Sequence, residues 1–288
     1  MAIGVFDSGV GGLSVCRALV DRLPQADFLY LADQAHAPYG PRAGDEIVDL
    51  TRASVETLFE AGADLVVLAC NTASAIALRR LQQTWLPGYA RTLGRRVNVL
   101  GIIVPTIEAA TGMDWLQAAD PAAEARPDVL GVFATAGTVR SEVYEVEIAK
   151  RRPDIAVFSQ ACPDLVPMVE GGASIPELAL AVQGYVADLT ARIGRAPDRA
   201  ILGCTHYEII AALFRAALPP GTPLIHQPAA TADALEAYFA HHPEYDIGTG
   251  GRRTFWTTGR PGRQSAMVQA FWGGPLSFEA APEISLSP

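Results

Sequence analysis

Residues 64–81 read DLVVLACNTASAIALRRL, an apolar run of strand length followed at once by a helical pattern. Runs of this kind, rich in Val, Ile and Leu, alternate with helical patterns along the chain, which is typical of parallel sheets covered by helices. The pattern predicts strands at 3–6, 28–31, 64–69, 97–103, 129–133, 155–158, 199–202, 223–225 and 254–256. It predicts helices at 12–23, 45–61, 73–85, 138–150, 175–193 and 207–217. The predicted fold class is α/β.

Two parts of the chain repeat one another. GVFDSGVGG at 4–12 leads to VVLACNTA at 66–73, and GVFATAGTV at 131–139 leads to AILGCTHY at 200–207. Ligands of such folds bind at the carboxyl ends of strands, so two similar lobes would bring Cys70 and Cys204 to one pocket. We predict two pseudo-symmetric lobes, each a mainly parallel sheet flanked by helices, with the active site in the cleft between them. Coincidence among similar α/β units is the alternative.

The repeat also divides the chain. Lobe one is assigned residues 1–101 plus 210–288 and carries Asp7 and Cys70, whereas lobe two is assigned 102–209. The segment 111–128, biased toward Ala, Pro, Asp and Glu, is predicted to be a surface excursion. The tail after Pro275 is expected to be poorly ordered.

Composition excludes several classes of protein. The 288 residues are 50% apolar and carry a net charge of −9 with scattered arginines, which predicts no nucleic-acid surface. No run approaches the roughly 20 apolar residues that a membrane span needs, so no membrane association is expected. The opening MAIGVFDSGVGG has no basic region ahead of an apolar one and does not indicate a signal peptide, so a cytoplasmic location is expected.

Two scarcities limit the cofactors. Lys150 is the only lysine, and it stands in the polar run EIAKRRPD, whereas a pyridoxal enzyme needs a buried Schiff-base lysine. The four cysteines form no C-x-x-C pair, which argues against a zinc or a dithiol redox site. We therefore predict no cofactor and no metal.

Cys70 and Cys204 each end a strand just ahead of a helix. Backbone donors and the positive end of a helix dipole favour thiolate there. The alternative is that each is a small buried apolar residue, but two cysteines in matching contexts favour a functional pair. Cys16 and Cys162 lack that context and are predicted to be structural.

Two opposed thiols can remove a proton from one face of a carbon and deliver another to the opposite face, which is racemisation or epimerisation. One sulfur must be thiolate and the other thiol, and Asp7 and His206 are placed to adjust them, one near each cysteine. Asp7 as a turn or capping carboxylate and His206 as a satisfied histidine at a helix start are the alternatives. Hydrogen-bond donors for a substrate carboxylate recur at the predicted pocket: Ser8, Asn71, Thr72, Thr135, Thr138 and Thr205.

Six motifs in order, FDSGVGGLSV, ADQAHAPYG, VVLACNTASA, FATAGTVRSEVY, CPDLVPMVE and ILGCTHYEII, closely resemble the glutamate racemases of the cofactor-independent aspartate/glutamate racemase superfamily. The resemblance covers residues 3–274. It implies interconversion of L- and D-glutamate without pyridoxal or metal, supply of D-glutamate to peptidoglycan, and a homodimer.

The resemblance also assigns site residues. The two acid/base thiols fall on Cys70 and Cys204, the assisting groups on Asp7 and His206, and a further carboxylate on Glu170, for which a surface acid at a helix end is the alternative. The implied substrate contacts are Asp7, Ser8, Tyr39, Gly40, Asn71, Thr72, Thr205 and His206.

The chain departs from the family pattern at several places. QAHA precedes Pro38 where a Thr-Ala-Arg pattern is common, Glu208 replaces a proline, and IHQPAATADAL replaces a DSG-type motif. Aspartate racemases usually carry a glutamate at the position of His206, so His206 favours glutamate. The alternatives are an aspartate or other amino-acid racemase, and a non-catalytic acidic-amino-acid sensor or gyrase-binding protein.

Overall fold

The predicted strands are present in the computed structural model, which describes residues 1–113, 128–262 and 266–282. The strands are β1 Ala2–Asp7, β2 Asp27–Ala32, β3 Ala63–Leu68, β4 Asn98–Gly101, β5 Val129–Ala134, β6 Ala156–Ala161, β7 Arg199–Gly203, β8 Leu224–Ile225, β9 Arg253–Thr257 and β10 Glu279–Ala280. The run 97–103 holds a shorter strand than predicted, because a helix begins at Ile103. The edge strand β10 was not predicted, since two residues carry no usable periodicity.

Helices connect these strands. They are α1 Leu13–Arg22, α2 Gly44–Glu60, α3 Asn71–Ile76, α4 Leu78–Arg80, α5 Leu86–Leu93, α6 Ile103–Thr111, α7 Ala136–Arg140, α8 Val143–Ala149, α9 Leu165–Glu170, α10 Ile175–Ile193, α11 Ala211–Ala217, α12 Gln227–His241 and α13 Ala266–Trp272. A π-helical segment, Leu81–Trp85, follows α4, and a 3₁₀ segment, Thr205–Ile210, precedes α11. Helix α12, with 15 residues, was not predicted. Its alanines are distributed around the helix, so its sequence shows no clear apolar stripe.

The strands form two all-parallel sheets with the same internal order. The first sheet runs β10-β9-β2-β1-β3-β4 and the second runs β6-β5-β7-β8. Read from β2 and from β6, each follows the order second, first, third, fourth. The registers agree as well, since Phe6 pairs with Leu68 in the first sheet and Phe133 pairs with Leu202 in the second. The α/β class, with two parallel sheets flanked by helices, is confirmed.

The second sheet includes residues beyond 209, the last residue that the sequence-based division assigned to lobe two. β8 pairs with β7, although its residues fall within 210–288, which was assigned to lobe one. Phe214 of α11 is likewise buried in the core around Phe133, whereas Leu235 of α12 is buried in the core around Val5. We therefore propose that the chain returns to lobe one after Ile225, at the start of α12.

The chain after Pro275 is ordered for as far as it is described. Leu276 and Phe278 are buried in the lobe-one core, and β10 pairs with β9. The expectation of a poorly ordered tail is therefore wrong for residues 276–280, because these apolar side chains pack against the sheet. Of the predicted surface excursion 111–128, residues 114–127 lie outside the described residues. In the described ranges, no helix combines the length and apolarity that crossing a membrane requires.

Candidate active site

The shared strand order places the two cysteines at equivalent positions. In each sheet the second strand lies on one side of the first strand and the third strand on the other, which creates a topological switch point. Ligands of such folds bind there, outside the carboxyl ends of the strands. Cys70 stands two residues after Leu68 and Cys204 two residues after Leu202, and those leucines pair with equivalent phenylalanines. The internal repeat seen in the sequence is therefore a structural one.

Both cysteines line one cavity of about 150 Å³. This is well below the roughly 300–1,000 Å³ of sites for drug-sized ligands, so a small metabolite suits it. The cavity wall also holds most of the predicted substrate contacts: Ser8, Tyr39, Gly40, Asn71, Thr72, Thr135 and Thr205. The remaining predicted residues, Asp7, Thr138, Glu170 and His206, are not part of this lining. Asp7 and Thr138 bond lining threonines, and Glu170 bonds His206, which follows the lining residue Thr205 in the chain.

Cys70 caps helix α3. Its sulfur lies 3.4 Å from Ser8 Oγ and accepts a hydrogen bond from the Ala73 N–H at 3.5 Å. Burial is the main cause that raises the pKa of this thiol to about 11, and the charge of Asp7 raises it further. The bonds from Ser8 and Ala73 act in the opposite direction but are weaker.

Cys204 has a similar environment at the end of β7. Burial raises the pKa of its thiol, and the charge on Cys70 adds to the increase, while the His206 N–H lowers it. The backbone donors at these helix starts favour thiolate, as the sequence suggested, but burial has the larger effect on both thiols and raises their pKa. The cost of desolvating a thiolate outweighs a few backbone donors.

Asp7 contacts residues close to the second cysteine and influences both thiols electrostatically. One of its carboxylate oxygens accepts from the Gly9 N–H at 2.8 Å, and the other accepts from Thr205 Oγ1 at 3.4 Å. Its charge raises the thiol pKa of both Cys70 and Cys204. The sequence suggested one assisting group beside each cysteine, whereas the structure places Asp7 against residues from both lobes.

His206 pairs with Glu170 behind the cavity. Nε2 of the imidazole lies 2.9 Å from Glu170 Oε1, and the His206 side chain is 6% exposed. Glu170 ends α9, so the structure brings the LVPMVE motif to the GCTHY motif. Glu208 does not join this pair, because its carboxylate bonds His226 at 2.7 Å.

The glycine-rich loop after β1 packs closely against the second lobe. A Cβ atom at Gly11 would lie 2.5 Å from Thr205 Oγ1 and 2.7 Å from His206 Nδ1, distances that side chains do not tolerate. At Gly12 a Cβ would lie 2.6 Å from Asp7 Cβ. The loop therefore needs glycine for close approach to the functional residues.

Three threonines join the lobes at the cavity. Thr72 Oγ1 lies 2.9 Å from Thr135 Oγ1 and 3.4 Å from Thr138 Oγ1. Thr135 also caps α7 by accepting from the Thr138 N–H. The structure thus brings these predicted donors together across the lobes, although Thr138 contacts Thr72 and Thr135 without lining the cavity itself.

Tyr39 and Gly40 reach the cavity from the loop after β2. Tyr39 donates to Asp33 Oδ2 at 2.6 Å, and His36 Nδ1 lies 2.8 Å from the other oxygen of Asp33. Arg140 donates to the Gly40 carbonyl at 3.1 Å. The Ala37–Pro38 peptide bond is cis. Asp33 and His36 were not predicted as site residues. Their hydrogen bonds with each other and with Tyr39 depend on the conformation of this loop, which the sequence pattern does not show.

One wall of the cavity was missed in the sequence. It is largely apolar and comprises Pro38, Pro41, Ala136, Cys162, Pro163, Val166 and Pro167. Cys162 was predicted to be structural, and its thiol does bond the Gln160 carbonyl at 3.5 Å, but the residue also faces the cavity. The proline-rich CPDLVP run was the available signal for this wall.

The cavity can hold a small anion by hydrogen bonds. Its described lining contains hydroxyls, an amide and starts of helices, and no lysine or arginine. Lys150 pairs with Glu147 at the surface, away from the cysteines. Two buried thiols and a set of neutral donors around one cavity suit proton transfer at a carbon beside a carboxylate.

Comparison with known proteins gives a consistent result. The family model described as Asp/Glu/Hydantoin racemase matches residues 3–235. The chain is 71% identical to a glutamate racemase of Caulobacter sp. (strain K31) over 98% of this chain and 100% of the relative. A solved glutamate racemase isoform from Bacillus anthracis has a TM-score of 0.80 at 27% identity, covering 98% of this chain and 97% of that one. A glutamate racemase from Francisella tularensis, solved with D-glutamate, has a TM-score of 0.78 at 25% identity, with 99% and 97% covered.

Proposed function

This chain belongs to the Asp/Glu/Hydantoin racemase family, and on that premise we propose that it interconverts L- and D-glutamate with Cys70 and Cys204 as its two acid/base groups. It is a cofactor-independent isomerase. The observation that carries the residue assignment is that the two cysteines occupy equivalent positions in two similar sheets and line the same cavity.

The reaction needs one thiolate and one thiol. The thiolate removes the α-hydrogen as a proton, so the C–H bond breaks, its electron pair stays on carbon, and an S–H bond forms. The opposite thiol then delivers its proton to the other face, so that a C–H bond forms as its S–H bond breaks. The centre is inverted, and the two sulfurs have exchanged protonation states.

Neighbouring bases prepare the sulfurs. Because burial keeps both thiols protonated near neutral pH, one of them must first pass its proton to a base. Burial also raises the pKa of Asp7, which makes its carboxylate a stronger base than an exposed one. We assign this task to Asp7 and His206, with Glu170 orienting the imidazole of His206.

The substrate carboxylates bind to neutral donors. Ser8, Asn71, Thr72, Thr135 and Thr205 line the cavity, and Tyr39 and Gly40 close one side. Donors that are already in place stabilise the negative charge that develops during proton abstraction, because they need no reorganisation. Thr138 supports Thr72 and Thr135 from behind.

Glutamate is favoured over aspartate by the relatives. The most similar relatives reported above are named glutamate racemases, and one of the solved structures holds D-glutamate. An aspartate racemase from Picrophilus torridus shares the fold at only 16% identity. No observation on the described residues favours a sensor or a gyrase-binding protein.

The cellular role follows from the product. We propose that D-glutamate made by this chain supplies peptidoglycan synthesis in the cytoplasm, where four free cysteines remain reduced.

We also propose a homodimer. In the described ranges, the large apolar side chains that are exposed are Val146, Ile175 and Leu180, all on helices beside the second sheet. Light scattering on the purified protein tests the homodimer, and a mass equal to one chain would contradict it.

An isotope experiment tests the activity. L-Glutamate incubated with the protein in deuterated water, with no pyridoxal added, is expected to yield D-glutamate with deuterium at the α-carbon, measured by chiral chromatography with mass spectrometry. Product without deuterium would contradict exchange through a solvent-equilibrated thiol. Faster turnover of L-aspartate in a parallel incubation would favour the aspartate alternative, and binding of glutamate without turnover would favour a sensor.

A further inference from the structure

A buried network holds the side chain of Asn71, which lines the cavity beside Cys70. Its members are Gln227, Thr106 and Tyr144, each at most 3% exposed, and none has a task in the mechanism above. We infer that Gln227 is a positioning residue that fixes the orientation of the Asn71 amide, so that Asn71 turns an N–H toward the substrate. The inference rests on the proposed function, since it takes this cavity to be the glutamate site.

A backbone carbonyl sets the direction of the hydrogen bonds. The Thr106 hydroxyl donates to the Ile102 carbonyl at 2.6 Å, so its oxygen is left to accept from Gln227 Nε2 at 2.9 Å. The Nε2 end of Gln227 must therefore face Thr106. Its Oε1 then accepts from Asn71 Nδ2 at 2.7 Å.

The same contacts occupy the oxygen of Asn71. Oδ1 accepts from Gln227 Nε2 at 3.0 Å and from the Tyr144 hydroxyl at 3.0 Å, which uses both of its lone pairs. Nδ2 carries two hydrogens and gives one to Gln227. The second N–H of Asn71 is therefore left for the cavity.

This orientation matters because the substrate is an anion. The described lining holds no lysine or arginine, so neutral donors have to bind the carboxylates. A reversed amide would present an oxygen to the carboxylate, and it would leave the buried groups of Gln227 and Tyr144 without correct partners. The network thus selects the donor face of Asn71.

The network also joins both crossings between the lobes. Thr106 lies in α6, on the way to the second sheet, and Gln227 begins α12, where the chain returns. Tyr144 belongs to α8 of the second lobe, and Asn71 begins α3 of the first.

Substitution Gln227→Met keeps the length of the side chain and removes its donor and acceptor. We expect the KM for glutamate to rise about tenfold with kcat changed less than about threefold, because the Asn71 donor is no longer aimed at the carboxylate. The matched control is Thr231→Val on the same helix, which removes a buried bond to the Gln227 carbonyl and is expected to lower Tm while leaving KM unchanged.

A double-mutant cycle separates positioning from a general structural effect. If Gln227 acts through Asn71, adding Gln227→Met to Asn71→Ala should change kcat/KM by less than about twofold. A full tenfold loss in the Asn71→Ala background, or no loss in the wild-type background, would overturn the inference. D-Glutamate affinity from ligand-induced Tm shifts completes the same cycle if Asn71→Ala has no measurable turnover.

A second variant tests the same inference if Gln227→Met does not fold. Tyr144→Phe removes only the hydroxyl that donates to Asn71 Oδ1, and it should raise KM about threefold or more, again without effect in the Asn71→Ala background. Wild-type protein that binds D-glutamate but does not racemise it would refute the proposed function alone. Active wild-type protein with additive variants would refute this inference alone.

Discussion

At the level of single residues, burial dominates the chemistry of the two sulfurs. Cys70 and Cys204 are each 6% exposed, and desolvation is the first cause of the raised pKa of both thiols. The same burial removes water that would compete for the proton of the substrate. In the proposed mechanism both thiols are therefore protonated at first, and Asp7 or His206 accepts a proton from one of them to form the thiolate.

Removing either sulfur should stop racemisation. Cys70→Ala and Cys204→Ala are each expected to lower kcat by about 10²–10⁴-fold, since each removes a proton donor or acceptor for one face. Cys16→Ala is the matched control, because Cys16 is a buried thiol in the core of lobe one. It should cost about 1 kcal/mol of stability and leave kcat unchanged. If Cys70→Ala or Cys204→Ala still racemised glutamate at the wild-type rate, the assignment of that cysteine as an acid/base group would be contradicted.

Loss of the charge on Glu170 should affect the two directions unequally. Glu170→Gln is expected to lower kcat about tenfold in the direction in which His206 must hold the proton, and less in the other, as measured by circular dichroism from each enantiomer. The two KM values must compensate, because enantiomers have equal free energies and kcat/KM is the same in both directions. Glu208→Gln, which disrupts another His–carboxylate pair, is the control. Equal losses of kcat would contradict a role confined to one face.

At the level of elements, the residues of the candidate active site lie in short connections that follow the strands. The glycine loop after β1 and the start of α3 follow neighbouring strands of the first sheet, and the 3₁₀ segment follows β7 of the second sheet; residues of all three line or contact the cavity. A strand holds its neighbours in register, so a loop that follows it begins from a fixed point. This explains why residues far apart in the chain reach one cavity of small volume.

A pair of glycine substitutions tests the packing of that loop. Gly11→Ala is expected to lower the free energy of unfolding by about 1–3 kcal/mol and to reduce kcat, because the new methyl group would displace Thr205 and His206. Gly184→Ala is its counterpart in the interior of α10, where a Cβ meets nothing within 4 Å. It should stabilise the protein by about 0.5–1 kcal/mol without altering kcat. Urea titration and the racemisation assay measure both, and an inert Gly11→Ala would refute the packing argument.

At the level of the whole molecule, buried thiols link the stability of the fold to alkaline pH. A thiol in the unfolded chain loses its proton near pH 9, whereas burial raises the pKa of Cys70 to about 11 and that of Cys16 to about 12. Above pH 9 the unfolded state therefore binds fewer protons than the native state, and the free energy of unfolding falls as pH rises. Each such thiol contributes a slope of up to about 1.4 kcal/mol per pH unit.

Urea midpoints between pH 8 and pH 11 measure this loss of stability. The midpoint should be constant up to about pH 9 and then decline. Cys16→Ala should decline less steeply, since it has one thiol fewer to ionise on unfolding. A midpoint that rises above pH 9, or a variant as steep as the wild type, would show that these thiols are not linked to folding.

The sequence by itself determined strands β1 to β9, the α/β class and the two cysteine motifs. Each depends on neighbours in the chain: apolar runs such as 64–69 define strands, and the matching of VVLACNTA with AILGCTHY shows the repeat. The lobe boundary at 210 stays a prediction, and we propose to move it beyond Ile225, because β8 joins its sheet through long-range pairing that no local pattern records.

Only the tertiary structure decided how the site residues meet. It placed Asp7 against Thr205, built an apolar wall around Cys162, and enclosed Asn71 with Gln227. It also decided the main influence on the cysteines, because burial raises the pKa of both thiols, and burial is not visible in the sequence whereas helix starts are. The physical reason is range: backbone preferences act between near neighbours, whereas desolvation and side-chain hydrogen bonds depend on which distant segments pack together.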